Sequence, residues 1–332
     1  MVRHIGTTRM KRVLIFALVA VIALLIAFLL TYANLFGPVD SHAGTQQFVV
    51  HPDESLDELV STLKEEKFIR NEWAFRIAYL KVRDGDKLRA GGYELSASMD
   101  AWSIADTLGQ KPYYAWISFN PGVRKEQIAD LLAEDLSWTD EQKQQWLLVS
   151  TATSEDLVEG VYFADTYLIP SDATPEYVAK KMQDRFTDAF APYAVEAKKK
   201  GLTWTEVITM ASLIEREASK RDRALVAGIL WNRVNDGMPL QVDATLQYIK
   251  GKEGNWWPTP KSEDKQLVSD FNTYKHAGLP PHPIANPSLA SIDAAINPEK
   301  TNCLFYLHDS DGTIHCSQTY KGQIQNVNKY LK

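Results

Sequence analysis

An unbroken block of 18 apolar residues, Val13 to Leu30, stands near the start of the chain. At ~1.5 Å rise per residue a helix over this block is about 27 Å long, close to the ~30 Å hydrocarbon core of a bilayer. Arg3, Arg9, Lys11 and Arg12 precede it, and basic residues flanking a span stay on the cytoplasmic side. The pattern predicts a cytoplasmic basic tail over 1–12, a single transmembrane helix over 13–32, and an extracytoplasmic body from about residue 38, held at the cytoplasmic (inner) membrane. A cleavable signal peptide is the alternative, but its apolar region usually covers about 7–15 residues before a small-residue cleavage site. Here Thr31-Tyr32-Ala33-Asn34-Leu35-Phe36-Gly37-Pro38 follows, without an A-x-A-like site.

Beyond the span the pattern shifts to helical and strand spacings. Phe48–Val50 and Gly91–Leu95 read as strands. Between them, Leu56–Leu63 places apolar residues at 56, 59, 60 and 63 behind Ser55 as N-cap, and a second helix covers Glu72–Val82. A turn at Asp84-Gly85-Asp86 precedes the second strand, and Ser98 is expected to cap a third helix through Leu108. This strand–helix–helix–strand order predicts a compact α+β module over 44–111. Trp116–Phe119 then reads as a strand running into a turn at Asn120-Pro121-Gly122, followed by a helix from Arg124 to Ala133 and a polar helical stretch through Gln145 and Trp146. Small polar residues gather at Thr151-Ala152-Thr153-Ser154. Helices follow over Thr174–Lys199, Thr205–Ser219 and Asp222–Asn235, the last stopped by Gly237. The fold class is α+β, with a mixed α+β second domain over 112–332.

Of these helices the one that matters chemically is Thr205–Ser219, which sets Glu215 and Glu217 in an otherwise apolar, small-residue run. Burial disfavours a charged carboxylate and raises its pKa, so a glutamate here can hold its proton near neutral pH and deliver it to a leaving group, as in glycosidic cleavage. Carboxylates flanking an amphipathic stripe and simply facing water fit the same pattern. Helical geometry does not choose between the two: they lie about 200° apart, and both sit near the edges of the stripe Val207, Met210, Ala211, Ile214 and Ala218. The segment Glu159–Tyr167 interleaves aromatic rings and carboxylates around Gly160. That suits sugar binding, although a tyrosine-rich core loop is the favoured reading. Pro280, Pro281, Pro283 and Pro287 stiffen a loop that suits the wall of a cleft.

Composition narrows the classes. A net charge of −6 and the lack of a basic block after the span exclude nucleic acid as a partner. Cys303 and Cys316 are the only cysteines, neither has metal-ligand spacing, and no metal or cofactor is expected. A hairpin turning at Asp309-Ser310-Asp311-Gly312 would put both on one face; a disulfide and two buried thiols both fit.

Five motifs in order carry a resemblance. Ala211-Ser212-Leu213-Ile214-Glu215-Arg216-Glu217, Trp231-Asn232-Arg233, Leu240-Gln241-Val242-Asp243, Phe271-Asn272-Thr273-Tyr274, and Gly278-Leu279-Pro280-Pro281 through Asn286-Pro287 closely resemble the bacterial endolytic murein transglycosylase family, MltG or YceG-like. The resemblance extends to the anchor, the 159–167 loop and the C-terminal strand pair with His315. Ala164, where the family usually has proline, and the turn at 120–122 depart from it. The resemblance implies a lytic transglycosylase with Glu217 catalytic, a LysM-like module over 44–111, and a catalytic domain over 112–332. It implies cleavage between N-acetylmuramic acid and N-acetylglucosamine of nascent glycan strands with a 1,6-anhydro end. Asn232, Gln241, Asp243, Asn272 and Tyr274 become candidates for holding sugars or orienting Glu217. The expected partners are peptidoglycan strands, membrane lipid through the anchor and membrane-bound wall synthases. A muramidase-type hydrolase using Asp165 or Asp243 as second acid and a non-catalytic glycan-binding scaffold are the alternatives.

Overall fold

A computed structural model describes residues 4–83, 88–152 and 158–331. Arg3, the turn expected at 84–86 and the residues Thr153 and Ser154 lie outside them. Helix α1 runs from His4 to Phe36, and its side chains from Val13 to Asn34 are all exposed. Within it, Val13–Phe36 is long and apolar enough to cross a membrane. A helix apolar all round has no use for a one-sided core, and from Val13 its side chains stay exposed until the last turn. There the Phe36 ring stacks on Trp102 at 5.7 Å.

The chain divides into two compact units. The first holds α1, β1 (Thr45–Val50), α2 (Leu56–Glu65), α3 (Glu72–Arg83), β2 (Gly91–Ser96), α4 (Ala101–Gly109), β3 (Tyr114–Ser118) as far as Trp116, and Leu168–Ser171 at the end of β4 (Thr166–Pro170). The strands follow the order β1-β2-β3-β4, with β1 antiparallel to β2 and β2 to β3. Phe48, Leu59, Leu63, Phe68, Phe75, Leu95 and Ile104 form its core, each no more than 1% exposed. Ser55 caps α2 as expected, in a reciprocal box with Glu58. The cap of α4 is Asp100, not Ser98: the Asp100 carboxylate accepts the Ser103 N–H at 2.7 Å, while the Ser98 N–H is spent on Ser96 Oγ at 3.0 Å.

The second unit contains α5 (Lys125–Leu136), α6 (Asp140–Gln145) passing into a π-helical turn over Trp146–Ser150, α7 (Pro175–Lys199), α8 (Trp204–Glu217), α9 (Arg223–Asn235), α10 (Asp243–Lys250), a 3₁₀ turn at Ser262–Gln266, α11 (Leu289–Ile296), the antiparallel pair β5 (Phe305–His308) and β6 (Ile314–Ser317), and α12 (Tyr320–Tyr330). Helix α8 is its axis. Every residue from Val207 to Ile214 is buried, and α7, α9, α10 and α11 pack around it. Gly228 of α9 lets the 299–301 segment approach: a Cβ there would meet the Glu299 carbonyl oxygen at 2.2 Å.

The 159–167 segment is a core loop, the favoured of its two readings. Val161, Tyr162, Phe163 and Tyr167 are buried. Glu159, fully buried, accepts hydrogen bonds from the Lys125 N–H at 2.9 Å and Asn286 Nδ2 at 2.8 Å. Asn286 in turn accepts the Tyr162 N–H at 2.8 Å and donates to the Val123 carbonyl at 3.0 Å. The turn after β3, the core loop and the proline-rich loop are thus tied at one knot.

Cys303 and Cys316 form a disulfide that closes the β5–β6 hairpin. In the register Tyr306 faces Cys316 across the pair, Leu307 faces His315 and His308 faces Ile314.

Candidate active site

Glu217 is the last residue of α8, since Ala218 has already left helical geometry at φ −93°, ψ 147°. The carbonyl end of a helix carries partial negative charge and disfavours a carboxylate. The side chain is half-buried. Its Oε1 accepts the Ala244 N–H at 3.3 Å, one of the free amides at the start of α10, whose N-cap position Val242 offers no side-chain cap. Its Oε2 accepts the Tyr306 hydroxyl at 3.2 Å. Burial is the main influence and pushes the Glu217 carboxyl above the ordinary range. The Ala244 amide opposes that, the Asp243 charge adds to it, and Tyr306 and His308 oppose it.

Glu215, one half-turn earlier, is a different object. Burial again favours its neutral form, but it is outweighed by the hydroxyls of Ser288 and Ser291 at 2.5 and 2.7 Å, the Ser288 N–H at 3.0 Å and the Arg223 guanidinium at 3.2 Å. The net effect holds its carboxyl below the ordinary range. Glu215 is therefore a charged anchor joining α8 to α9 and to the start of α11, with its acceptor capacity filled. Of the two glutamates, only Glu217 has the acceptor room and the raised pKa that a proton donor requires.

Strand β5 completes the surroundings. Alternation along a strand puts Tyr306 and His308 on one face, their rings 6.1 Å apart edge to face. His308 Nε2 lies 2.8 Å from the Asp222 carboxylate, which also accepts the Ser219 hydroxyl at 2.8 Å. Burial raises the Tyr306 phenol well above its usual range, and the Glu217 charge raises it further. Tyr306 therefore stays a donor across physiological pH.

The five other candidates divide by geometry. Asp243 opens α10 beside Ala244, and its Oδ1 accepts the Tyr274 hydroxyl at 2.6 Å. These two stand next to Glu217, whose charge and that of Asp243 both raise the Tyr274 phenol after burial. Gln241 is exposed, with a left-handed φ of 52°, and its N–H binds the Thr273 carbonyl at 2.9 Å. Asn272 is fully buried, and its amide holds the Lys265 and Leu267 carbonyls at 3.2 and 2.8 Å and the Tyr274 N–H at 3.0 Å. Asn232 donates to the Thr301 and Cys303 carbonyls at 2.8 and 3.1 Å, fixing the approach to β5. Arg233 beside it donates to the carbonyls of Leu304 at 2.6 Å and Leu240 at 2.5 Å. Asn272 and Asn232 thus have their amides committed to backbone. Among the described residues no cluster of three or more His, Cys, Asp or Glu is arranged to hold a metal.

A sequence model of the YceG-like family matches residues 48–329. The chain belongs to that family. A relative in Bacillus subtilis (strain 168) named endolytic murein transglycosylase is 31% identical over 322 residues, covering 90% of this chain and 88% of its own. A protein of the same name in Streptococcus pneumoniae (strain D39) is 28% identical over 89% of this chain, which spans 60% of that longer relative. The crystal structure of a YceG-like protein from Listeria monocytogenes matches with a TM-score of 0.58 at 26% identity, over 85% of this chain and 99% of that one. Within this YceG-like fold, Tyr306 and His308 are the site neighbours that the sequence motifs did not include. The strand alternation was readable, but not which face meets α8.

Proposed function

We propose that this YceG-like protein is a peptidoglycan lytic transglycosylase in which Glu217 is both general acid and general base. The family and the name carried by its relatives support the activity. The observation that carries the residue assignment is the contrast between a saturated, charged Glu215 and a half-buried Glu217 with a raised pKa. Protonated Glu217 gives its proton to the oxygen bridging N-acetylmuramic acid and N-acetylglucosamine, and the C1–O bond breaks with the electron pair leaving on that oxygen. An oxocarbenium-like or acetamido-assisted centre forms at C1. The Glu217 carboxylate then takes the proton of the muramyl 6-hydroxyl as its oxygen bonds to C1, giving a 1,6-anhydro end without water. Asp243 and Tyr274 line the sugar beside this centre, and Gln241 presents its amide from an exposed turn.

A hydrolase would need a second carboxylate across the scissile bond. Asp165 is paired with Arg185 at 2.7 Å and Asp243 is bonded to Tyr274, so neither is a free partner. In the same reading, α1 is a single-pass anchor that keeps the enzyme at the outer face of the cytoplasmic membrane, and the β1-α2-α3-β2 unit serves as a LysM-like glycan-binding module.

Glu217→Gln should lower turnover about 10²–10⁴-fold while leaving the protein folded. The check is mass spectrometry of products from uncrosslinked glycan strands. Anhydro-ended fragments from wild type alone support the assignment, and reducing ends would replace it with hydrolysis.

A further inference from the structure

Arg216 lies between the two glutamates and is unlike the other arginines that are not exposed. Arg76 is paired with Asp57, Arg124 with Glu126 and the Tyr248 carbonyl, Arg223 with Glu215, and Arg233 with two carbonyls. Among the described residues Arg216 has no hydrogen-bond acceptor and no ion-pair partner, and its buried Nε–H is unsatisfied. What it has is a platform. Its guanidinium lies over the Trp257 ring at 3.9 Å, and the Trp257 indole N–H is fixed on Gln127 at 2.7 Å. Gly122 lies alongside, where an added Cβ would come to 3.5 Å from Nη1. Stacking occupies the faces of a guanidinium and leaves its N–H edges for an in-plane acceptor. A half-buried cation without an acceptor is costly unless a ligand supplies one.

Peptidoglycan supplies anions beside the bond to be cut. The lactyl ether of each muramic acid ends either in its own carboxylate or in a short peptide that carries carboxylates. We infer that Arg216, held over Trp257, binds a carboxylate of the muramyl substituent and so selects charged strands at a position flanking Glu217. This rests on the transglycosylase reading for its substrate. A carboxylate fits the guanidinium fork through two parallel hydrogen bonds, which an ammonium cannot reproduce.

The test is binding to the full-length protein in lipid nanodiscs, with Glu217→Gln in every sample to prevent turnover. Three glycans are compared: strands with intact peptides, strands stripped to the free lactyl carboxylate, and stripped strands whose lactyl carboxylate is capped as a neutral methylamide. Adding Arg216→Gln should reduce the preference for a charged strand over the neutral one about 10-fold or more, and Arg216→Lys should restore only part of it. A reduction confined to the peptide-bearing strand places the anion in the peptide; a reduction for both charged strands places it on the lactyl group. An unchanged preference, or an equal loss for all three glycans, overturns the inference and leaves Arg216 as a prop for Trp257. In the separate product assay, wild type that yields no anhydro ends would refute the reaction instead, because the charge preference is read without turnover.

Discussion

Two glutamates separated by a single residue end with opposite protonation tendencies because their partners come from distant parts of the chain. Ser288 and Ser291 reach Glu215 across 73 and 76 residues, and Tyr306 reaches Glu217 across 89. The sequence placed two candidate acids at this helix end, and helical geometry alone left both standing. Tyr306 gives a direct test. Its hydroxyl donates to the carboxylate form and thereby holds the Glu217 pKa lower than burial alone would. In Tyr306→Phe that pKa rises. An acid catalyst loses activity as pH rises through its pKa, so the alkaline limb of kcat/KM should move up by about 1 pH unit. A pH–rate profile with an unmoved limb would show that the contact does not tune Glu217. His308 and Asp222 behind Tyr306 are expected to be positioning groups of the same kind.

At the level of elements, the β5–β6 hairpin is what delivers Tyr306 to α8. Its cross-link joins Cys303 and Cys316, 13 residues apart, and closing a loop of that size stabilises by about 3 kcal/mol on chain-entropy grounds. The Cys303→Ser/Cys316→Ser protein should unfold at lower denaturant concentration and lose activity together with the Tyr306 contact; equal turnover in oxidised and reduced protein would separate the hairpin from the site. Helices with strong periodicity and caps, such as α2 behind Ser55 and α7 behind Thr174, were legible in sequence. Strand β4 was not, because Thr166–Pro170 continues a segment whose aromatics read as one loop. The eight-residue helices α10 and α11 were also missed, being too short to show a period. Asp100 and Ser98 are both good N-caps, and only the structure shows which one reaches a helical amide.

Across the second unit, the knot at Glu159 should make folding pH-dependent. Burial raises its pKa to about 8, and Glu126 adds to this while the Lys125 amide and the Arg124 and Lys125 charges oppose it. A carboxyl raised in the folded state contributes stability that is complete below its unfolded pKa of about 4.3 and is lost as pH rises through about 8. Urea midpoints should therefore fall between pH 5 and pH 9, the unfolding free energy dropping by an amount on the order of 4 kcal/mol. Glu159→Gln should flatten that slope, even though its amide is poorly matched to the three N–H groups now facing the carboxyl oxygens. A slope identical to wild type would place the titration elsewhere. The close approach at Gly228 has a different kind of consequence. Any side chain there collides with backbone rather than with a movable side chain, and the displaced 299–301 segment leads straight into the strand that carries Tyr306. A single methyl group on α9 can thus silence the chemistry without touching Glu217, its neighbours or the glycan. When natural variants of this protein are sorted into active and inactive, that glycine belongs among the positions to inspect.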